Sequence, residues 1–302
     1  MDVFEKIENL KKERNAVILA HNYQRPEVQD IADYVGDSLG LSIEASRTGA
    51  DVIIFCGVYF MAETAKILSP GRKVIIPDKN AGCPMADMIT VQELKELKRQ
   101  YPQAKILCYV NTFADVKAEC DICCTSSNAV SVIEKAFKKE DEIIFIPDKY
   151  LASYAQKQTA KNLILWNGYC PTHIKILKED IDREKKLHPG AEILVHPECT
   201  SPVISLADKV LSTDGMCEYV KKSEAKEFII ATEPGIIHRL RKENPSAKFW
   251  PASGISVCPN MKLITLDKIL RSLETLEYEV TLPRKILLQA GKSIGKMLKY
   301  KD

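Results

Sequence analysis

Three Cys-Pro dipeptides stand at Cys83, Cys170 and Cys258, separated by 87 and 88 residues. Each follows a short apolar run and precedes a helical pattern, so the three sulfurs occupy equivalent loops of one unit written three times. Thiolates are metal ligands, and only such a symmetry brings residues so distant in the chain into one ligand set. The proline after each cysteine shapes the loop and starts the next helix. Three thiolates suit two metals. A closed zinc site wants a fourth protein ligand, for which His173, two residues beyond the second Cys-Pro, is the candidate. A 4Fe-4S cluster on three cysteines leaves one iron open as a Lewis acid able to bind and remove a hydroxyl. Three buried structural thiols are the plainest alternative.

The repeat extends beyond the cysteines. Each unit opens on an apolar strand, read as AVILAHNY from Ala16, AKILCYVN from Ala104 and AEILVHPE from Ala191. These strands end in the pairs His21 and Tyr23, Tyr109 and Asn111, His196 and Glu198. Side chains two apart on a strand share a face, so each unit aims two functional groups the same way from its strand's C-terminal end. Seventeen residues after the first member of each pair comes a hydroxyl, Ser38, Ser126 or Thr213, preceded by Asp37, Thr125 or Ser212. Residues of this kind at a helix start normally cap backbone N–H groups. Three such helix N-termini converging on one centre would instead suit an anion.

The elements that must position these groups read, in each unit, as strand, helix, strand, helix, strand, Cys loop, helix. Second strands are DVIIF from Asp51, DEIIF from Asp141 and KEFII from Lys226; third strands are KVIIP, NLILW and KFWPA from Lys73, Asn162 and Lys248. Apolar runs without alternation, spaced by helix-length segments, indicate parallel strands covered on both faces. The predicted fold is α/β: three homologous αβα sandwich domains with parallel sheets around a pseudo-threefold axis, the site lying where strand C-termini meet. The domains are expected at residues 1–90, 91–176 and 177–302, the third with a C-terminal helical extension.

With 302 residues, 45% hydrophobic and 28% charged, the chain has material for several small cores. The balance of 43 basic and 41 acidic residues argues against nucleic acid or a membrane surface as partner. No run of 18 apolar residues appears, and the opening MDVFEKIENLKKER has no signal-peptide core, so a cytoplasmic location is expected. The ten cysteines are then thiols rather than a disulfide framework. Cys56, Cys108, Cys199 and Cys217 read as packing. The CDICC run, with Cys120, Cys123 and Cys124, contains a C-x-x-C. It has no counterpart in the other units, and its last two cysteines read more simply as the end of a helix or loop.

Taken together, these residues resemble the A-type quinolinate synthases. The resemblance covers essentially the whole chain and rests on AHNYQRPEVQDIADYVGDSLGLS, GVYFMAETAKIL, AGCPMAD, CYVNTFADVKAECDICCTSSNAV, NGYCPTH, VHPEC, LSTDGM and GISVCPNMK, in that order. It implies three α/β domains around a 4Fe-4S cluster held by Cys83, Cys170 and Cys258. It also implies condensation of iminoaspartate with dihydroxyacetone phosphate to quinolinate, in the biosynthesis of NAD, with an L-aspartate-oxidising enzyme as metabolic supplier. The catalytic residues expected on this basis are Glu198, Tyr23, His21, His196 and Tyr109. Substrate would be held by His21, Ser38, Tyr109, Asn111, Ser126, His196, Glu198, Ser212 and Thr213. Some members carry C-x-x-C-x-x-C ending at the third ligand; here Ile255 and Ala252 stand at those positions, so disulfide regulation of that loop is not expected. The nearest alternative is another iron-sulfur hydro-lyase acting on a small hydroxy acid. An electron-transfer or metal-storage protein would not need the strand-end His, Tyr and Glu. A Rossmann-type nucleotide module is set aside, because no G-x-G-x-x-G or Walker sequence follows the first strand.

Overall fold

The computed structural model describes residues 2–300. Among these residues, twelve strands form three separate four-stranded sheets, and every pairing within them is parallel. In the first unit the strands are β1 (Ala16–His21), β2 (Tyr34–Gly36), β3 (Val52–Cys56) and β4 (Lys73–Ile75). The second holds β5 (Lys105–Tyr109), β6 (Ile122–Cys124), β7 (Ile143–Ile146) and β8 (Leu163–Leu165). The third holds β9 (Glu192–Val195), β10 (Lys209–Val210), β11 (Glu227–Ala231) and β12 (Lys248–Pro251). The spatial orders β2-β1-β3-β4, β6-β5-β7-β8 and β10-β9-β11-β12 are the same topology three times. The middle strands VIIFC and IIFI are buried at every residue, as parallel strands with helices on both faces must be.

The helices of the first unit are α1 (Val3–Glu13), α2 (Pro26–Ile31), α3 (Ser38–Arg47) and α4 (Tyr59–Leu68), followed by α5 (Val91–Gln100). Those of the second are α6 (Ala114–Ala118), α7 (Ala129–Ala136) and α8 (Lys149–Thr159), followed by α9 (Lys178–Leu187). The third has α10 (Ser201–Ile204), α11 (Thr213–Lys222), α12 (Ile236–Glu243) and α13 (Leu266–Thr275), and α14 (Arg284–Met297) ends the chain's regular structure. Helix α1 packs along α13, so the first and last units meet and the ring of three closes. Helix α14 leaves the third sheet and lies across α6, β6 and α4. The boundaries expected at 90/91 and 176/177 fall immediately before α5 and α9.

Three details differ from the sequence expectation. Each unit has four strands rather than three; the extra one, β2, β6 or β10, is only two or three residues long and too short to show a periodicity. It is docked by an aspartate. Asp33, Asp121 and Asp208 each send a carboxylate to the N–H of Ile18, Ile106 or Ile193, at 2.7, 2.8 and 2.8 Å, and donate their own N–H to the same residue's carbonyl. Cys123 and Cys124 lie in β6, not at the end of a helix or loop, and Cys123 pairs with Cys108 across the sheet. In the second unit the helix α7 starts at Ala129, so Ser126 sits in the preceding turn; in the others Ser38 and Thr213 are the first helical residues.

The glycine of NGYCPTH is required by close approach. A Cβ on Gly168 would stand 2.3 Å from the Pro147 carbonyl oxygen, a backbone atom that cannot swing aside. Gly168→Ala is therefore expected to displace the strand carrying the Cys170 loop and to cost about 1–3 kcal/mol, read as a lowered midpoint in chemical denaturation.

Candidate active site and metal centre

The C-terminal ends of all three sheets open on one central pocket. The first strands deliver His21 and Tyr23, Tyr109 and Asn111, and His196 and Glu198 to its wall, and the Cys loops deliver Cys83, Cys170 and Cys258. Ser38, Ser126 and Thr213 line the same pocket. Ser212 does not; its hydroxyl accepts the N–H of Gly215 at 3.2 Å as the cap of α11, and it lines a second pocket between α3, α7 and α11 that shares Asp37 and Ser126 with the central one. Tertiary structure thus assembles twelve of the thirteen side chains named from the sequence around one space, with Ser212 in the neighbouring pocket.

The Cys-Pro loops have a shared physical logic. Each runs into one turn of 3₁₀ helix, Ala86–Met88, His173–Lys175 or Met261–Leu263. Proline has no N–H, so the first free amides are those two and three residues past the cysteine. Each sulfur faces that pair: Met85 and Ala86 for Cys83, Thr172 and His173 for Cys170, Asn260 and Met261 for Cys258. The loops are also tied to one another. Asn260 Nδ2 donates to the Gly82 carbonyl at 2.8 Å, Trp166 Nε1 to the Met88 carbonyl at 2.7 Å, and the Thr172 hydroxyl faces the Cys258 sulfur. Burial pushes the Cys83 thiol up to about 12, with the neighbouring Cys258 sulfur adding to it, and the amides pull the other way. Cys170 is likewise raised, by burial and then by the charge of Glu198.

Two histidines are held in one tautomer by the backbone. The Tyr23 N–H donates to His21 Nδ1 at 3.2 Å, and the Glu198 N–H donates to His196 Nδ1 at 3.3 Å. With Nδ1 accepting, the neutral ring carries its proton on Nε2. Burial drives His21 down to about 4 and His196 down to about 3, so both rings are neutral N–H donors at physiological pH. Of the five histidines, these two are therefore expected to show no titration between pH 5 and 8 when their ring resonances are followed by NMR. A midpoint near the ordinary 6.5 for either would contradict the burial argument.

Glu198 is the hub. Tyr109 Oη donates to its Oε1 at 2.5 Å, with Asn111 Nδ2 at 3.5 Å from the same oxygen. His173 Nδ1 lies 2.7 Å from Oε2, and the His173 ring stacks on His196 with centroids 4.6 Å apart. Burial alone would raise this carboxyl, but His173 and the Tyr109 hydrogen bond outweigh it and hold Glu198 below the usual carboxylate range. Tyr23 and Tyr109 are raised well above the ordinary phenol value, first by burial and then by the charge of Glu198, so both keep their protons as donors.

Three residues that sequence reasoning missed or left aside support the site: His173 on the pocket wall, and Thr232 and Asn22 behind it. His173 appeared only as a zinc ligand; its ring instead spans Glu198 and Thr232, with Nε2 2.8 Å from Thr232 Oγ1. Thr232 also meets Tyr23 Oη at 2.5 Å. Asn22, the residue between His21 and Tyr23, points the other way: its Nδ2 donates to Thr213 Oγ1 at 2.8 Å and to Asp214 Oδ1 at 3.0 Å, setting the start of α11 against the first unit. Only register could have found Thr232, since β11 carries it past its end as β3 and β7 carry Gly57 and Pro147.

Three parallel α/β units whose strand ends enclose a shared thiol-, imidazole- and carboxylate-lined pocket define an enzyme of the multi-unit type, with its site on the seam. Residues 5–299 match the family described as Quinolinate synthetase A protein. The chain is 52% identical over 294 residues to a quinolinate synthase of Dehalococcoides mccartyi (strain CBDB1), covering 97% of each chain. It is 50% identical over 300 residues to that of Methanosarcina barkeri (strain Fusaro / DSM 804), covering 99% of this chain and 98% of the relative. A quinolinate synthase of Thermodesulfovibrio yellowstonii is 52% identical over 295 residues, covering 97% of each chain. The chain belongs to the quinolinate synthase A family.

Proposed function

We propose that this enzyme condenses iminoaspartate with dihydroxyacetone phosphate, releasing phosphate and two waters and forming quinolinate for NAD biosynthesis. The observation that carries the reading is the meeting of three loop cysteines from three units with an ionised Glu198 and two neutral imidazoles in one pocket.

Three loop thiols on one pocket suit a cluster that leaves one iron open. At about 2.3 Å per bond, a tetrahedral zinc needs sulfurs roughly 3.8 Å apart. Among the described residues, one group of three donors lies mutually within 4.8 Å, that of Cys170, His173 and Glu198, and neither Cys83 nor Cys258 belongs to it. Paired amides facing each sulfur favour thiolates, as cluster ligands require. Cys83, Cys170 and Cys258 would hold a 4Fe-4S cluster, which supplies an iron without a protein ligand, a Lewis acid toward a hydroxyl.

The chain's own groups then divide the work. Glu198, kept ionised, removes the carbon-bound proton that each dehydration or tautomerisation needs. Tyr109, hydrogen-bonded to Glu198, orients that base, and Asn111 orients the intermediate beside it. Tyr23, still protonated, donates toward departing oxygens. His21 and His196 present Nε2–H donors to substrate carboxylates. Ser38, Ser126 and Thr213 receive phosphate and carboxylate oxygens, with Ser212 in the neighbouring pocket. Three domains, divided at 90/91 and 176/177, each contribute one cysteine and one strand-end pair. No helix among the described residues is long and apolar enough to cross a membrane, which is consistent with the cytoplasmic site proposed here. An L-aspartate-oxidising enzyme would supply the unstable imine.

The test is iron and acid-labile sulfide on protein purified without oxygen, followed by quinolinate and phosphate release from the two substrates. About four of each per chain with both products supports the reading. Cluster without phosphate release points to a hydro-lyase on a small hydroxy acid. Zinc, or no metal after anaerobic reconstitution, removes the Lewis-acid chemistry.

A further inference from the structure

Thr232 is completely buried, and its one hydroxyl touches two site residues from two other parts of the chain. Tyr23 Oη, from the first unit, lies at 2.5 Å and His173 Nε2, from the turn after Cys170, at 2.8 Å. Thr232 is also anchored through its main chain. It follows the end of the central strand β11, and its own carbonyl accepts the Ser256 hydroxyl at 3.4 Å.

Register isolates this position. Cys56, Ile146 and Ala231 pair with the equivalent residues Ala20, Cys108 and Val195, so Gly57, Pro147 and Thr232 are equivalent. Neither glycine nor proline offers a side-chain hydrogen bond, so one unit alone brings a hydroxyl to this level of the pocket. A threonine hydroxyl has one proton and two lone pairs, so it can accept from Tyr23 while donating to His173, or the reverse. Either arrangement fixes the phenol and the imidazole relative to each other. The other ring nitrogen of His173 is 2.7 Å from Glu198 Oε2. Tyr23 Oη and His173 Nε2 also lie 3.4 Å apart, so the Thr232 hydroxyl makes the two shorter contacts of a triangle that holds the proposed proton donor Tyr23 and the proposed base Glu198 in one frame.

We infer that Thr232 is a positioning residue, whose hydroxyl sets Tyr23 and His173, and through His173 the Glu198 carboxylate, for the reaction. The inference rests on the quinolinate synthase reading above. Valine has the shape of threonine without the hydroxyl, and serine keeps the hydroxyl without the methyl, so the two variants separate orientation from packing.

The experiment compares Thr232→Val, Thr232→Ser and the parent enzyme, all with the same iron content and thermal midpoint, for quinolinate formation. Thr232→Val is expected to lower kcat by about ten- to a hundredfold with KM changed by less than about threefold, while Thr232→Ser keeps most of the parent kcat. If Thr232→Val does not fold, Thr232→Ala against Thr232→Ser makes the same comparison. Equal turnover in the parent and the hydroxyl-free variant overturns the inference. So does an equal loss in the serine and hydroxyl-free variants, because packing would then explain both. A loss confined to KM also overturns it, since a group that orients the reacting residues acts on kcat. A parent enzyme that makes no quinolinate defeats the functional reading first, and the role of Thr232 in that reaction falls with it.

Discussion

Glu198→Gln is expected to preserve the fold and the iron content and to lower kcat by about 10² to 10⁴-fold, the usual contribution of a positioned general base. The carboxylate is 3% exposed, accepts the Tyr109 hydroxyl at 2.5 Å, and has His173 2.7 Å from its other oxygen. Glutamine keeps the shape and can still accept from Tyr109 through its carbonyl, so packing is spared. It cannot take a proton, and its NH₂ meets His173 with a donor where the carboxylate offered an acceptor. Because the loss is in chemistry rather than in binding, KM should move far less than kcat. Steady-state rates together with a single-turnover measurement decide the matter; a rate unchanged in both would strike Glu198 from the proposed base role.

Cys83→Ser is expected to abolish cluster retention and with it all turnover, whereas Cys123→Ser should leave iron and sulfide close to the parent level. The two thiols differ in setting, not in burial alone. Cys83 sits at the head of a 3₁₀ turn, with the amides of Met85 and Ala86 aimed at its sulfur and the Cys258 sulfur nearby. Cys123 lies inside β6, paired with Cys108 and directed at the hydroxyl of Ser293 on α14, away from the pocket. A serine hydroxyl is a poor substitute for a thiolate toward iron, and the two sulfurs that remain cannot hold a cluster built for three. Iron, sulfide and visible absorption on anaerobic protein provide the readout. Full iron in Cys83→Ser, or its loss in Cys123→Ser, would reverse the assignment of these cysteines.

Much of the site was legible because repetition is a property of sequence. The recurrence of Cys-Pro, of strand-end pairs and of hydroxyls at constant offsets identified equivalent positions, and equivalent positions in parallel sheets end at the same edge. The alternation of side chains along a strand then told which of His21, Asn22 and Tyr23 face together, and the pocket has His21 and Tyr23 on its wall while Asn22 turns to α11. The aspartates at positions 33, 121 and 208 obey the same period, but an aspartate before a short strand has no distinctive signal, since turn aspartates are common.

By itself the sequence determined the number of units, the class of each, the three thiols and the strand-end groups, since pattern and period are encoded residue by residue. Only the tertiary structure decided that His173 joins Glu198 to Thr232, that Thr232 reaches Tyr23, that Asn22 holds the start of α11, and that Cys123 and Cys124 lie in a strand rather than at the end of a helix or loop. Each of those contacts joins elements from different units or rests on a strand too short to show a pattern. They depend on how three sheets are placed against one another, which follows from the sum of many packing contacts and has no periodic signature along the chain.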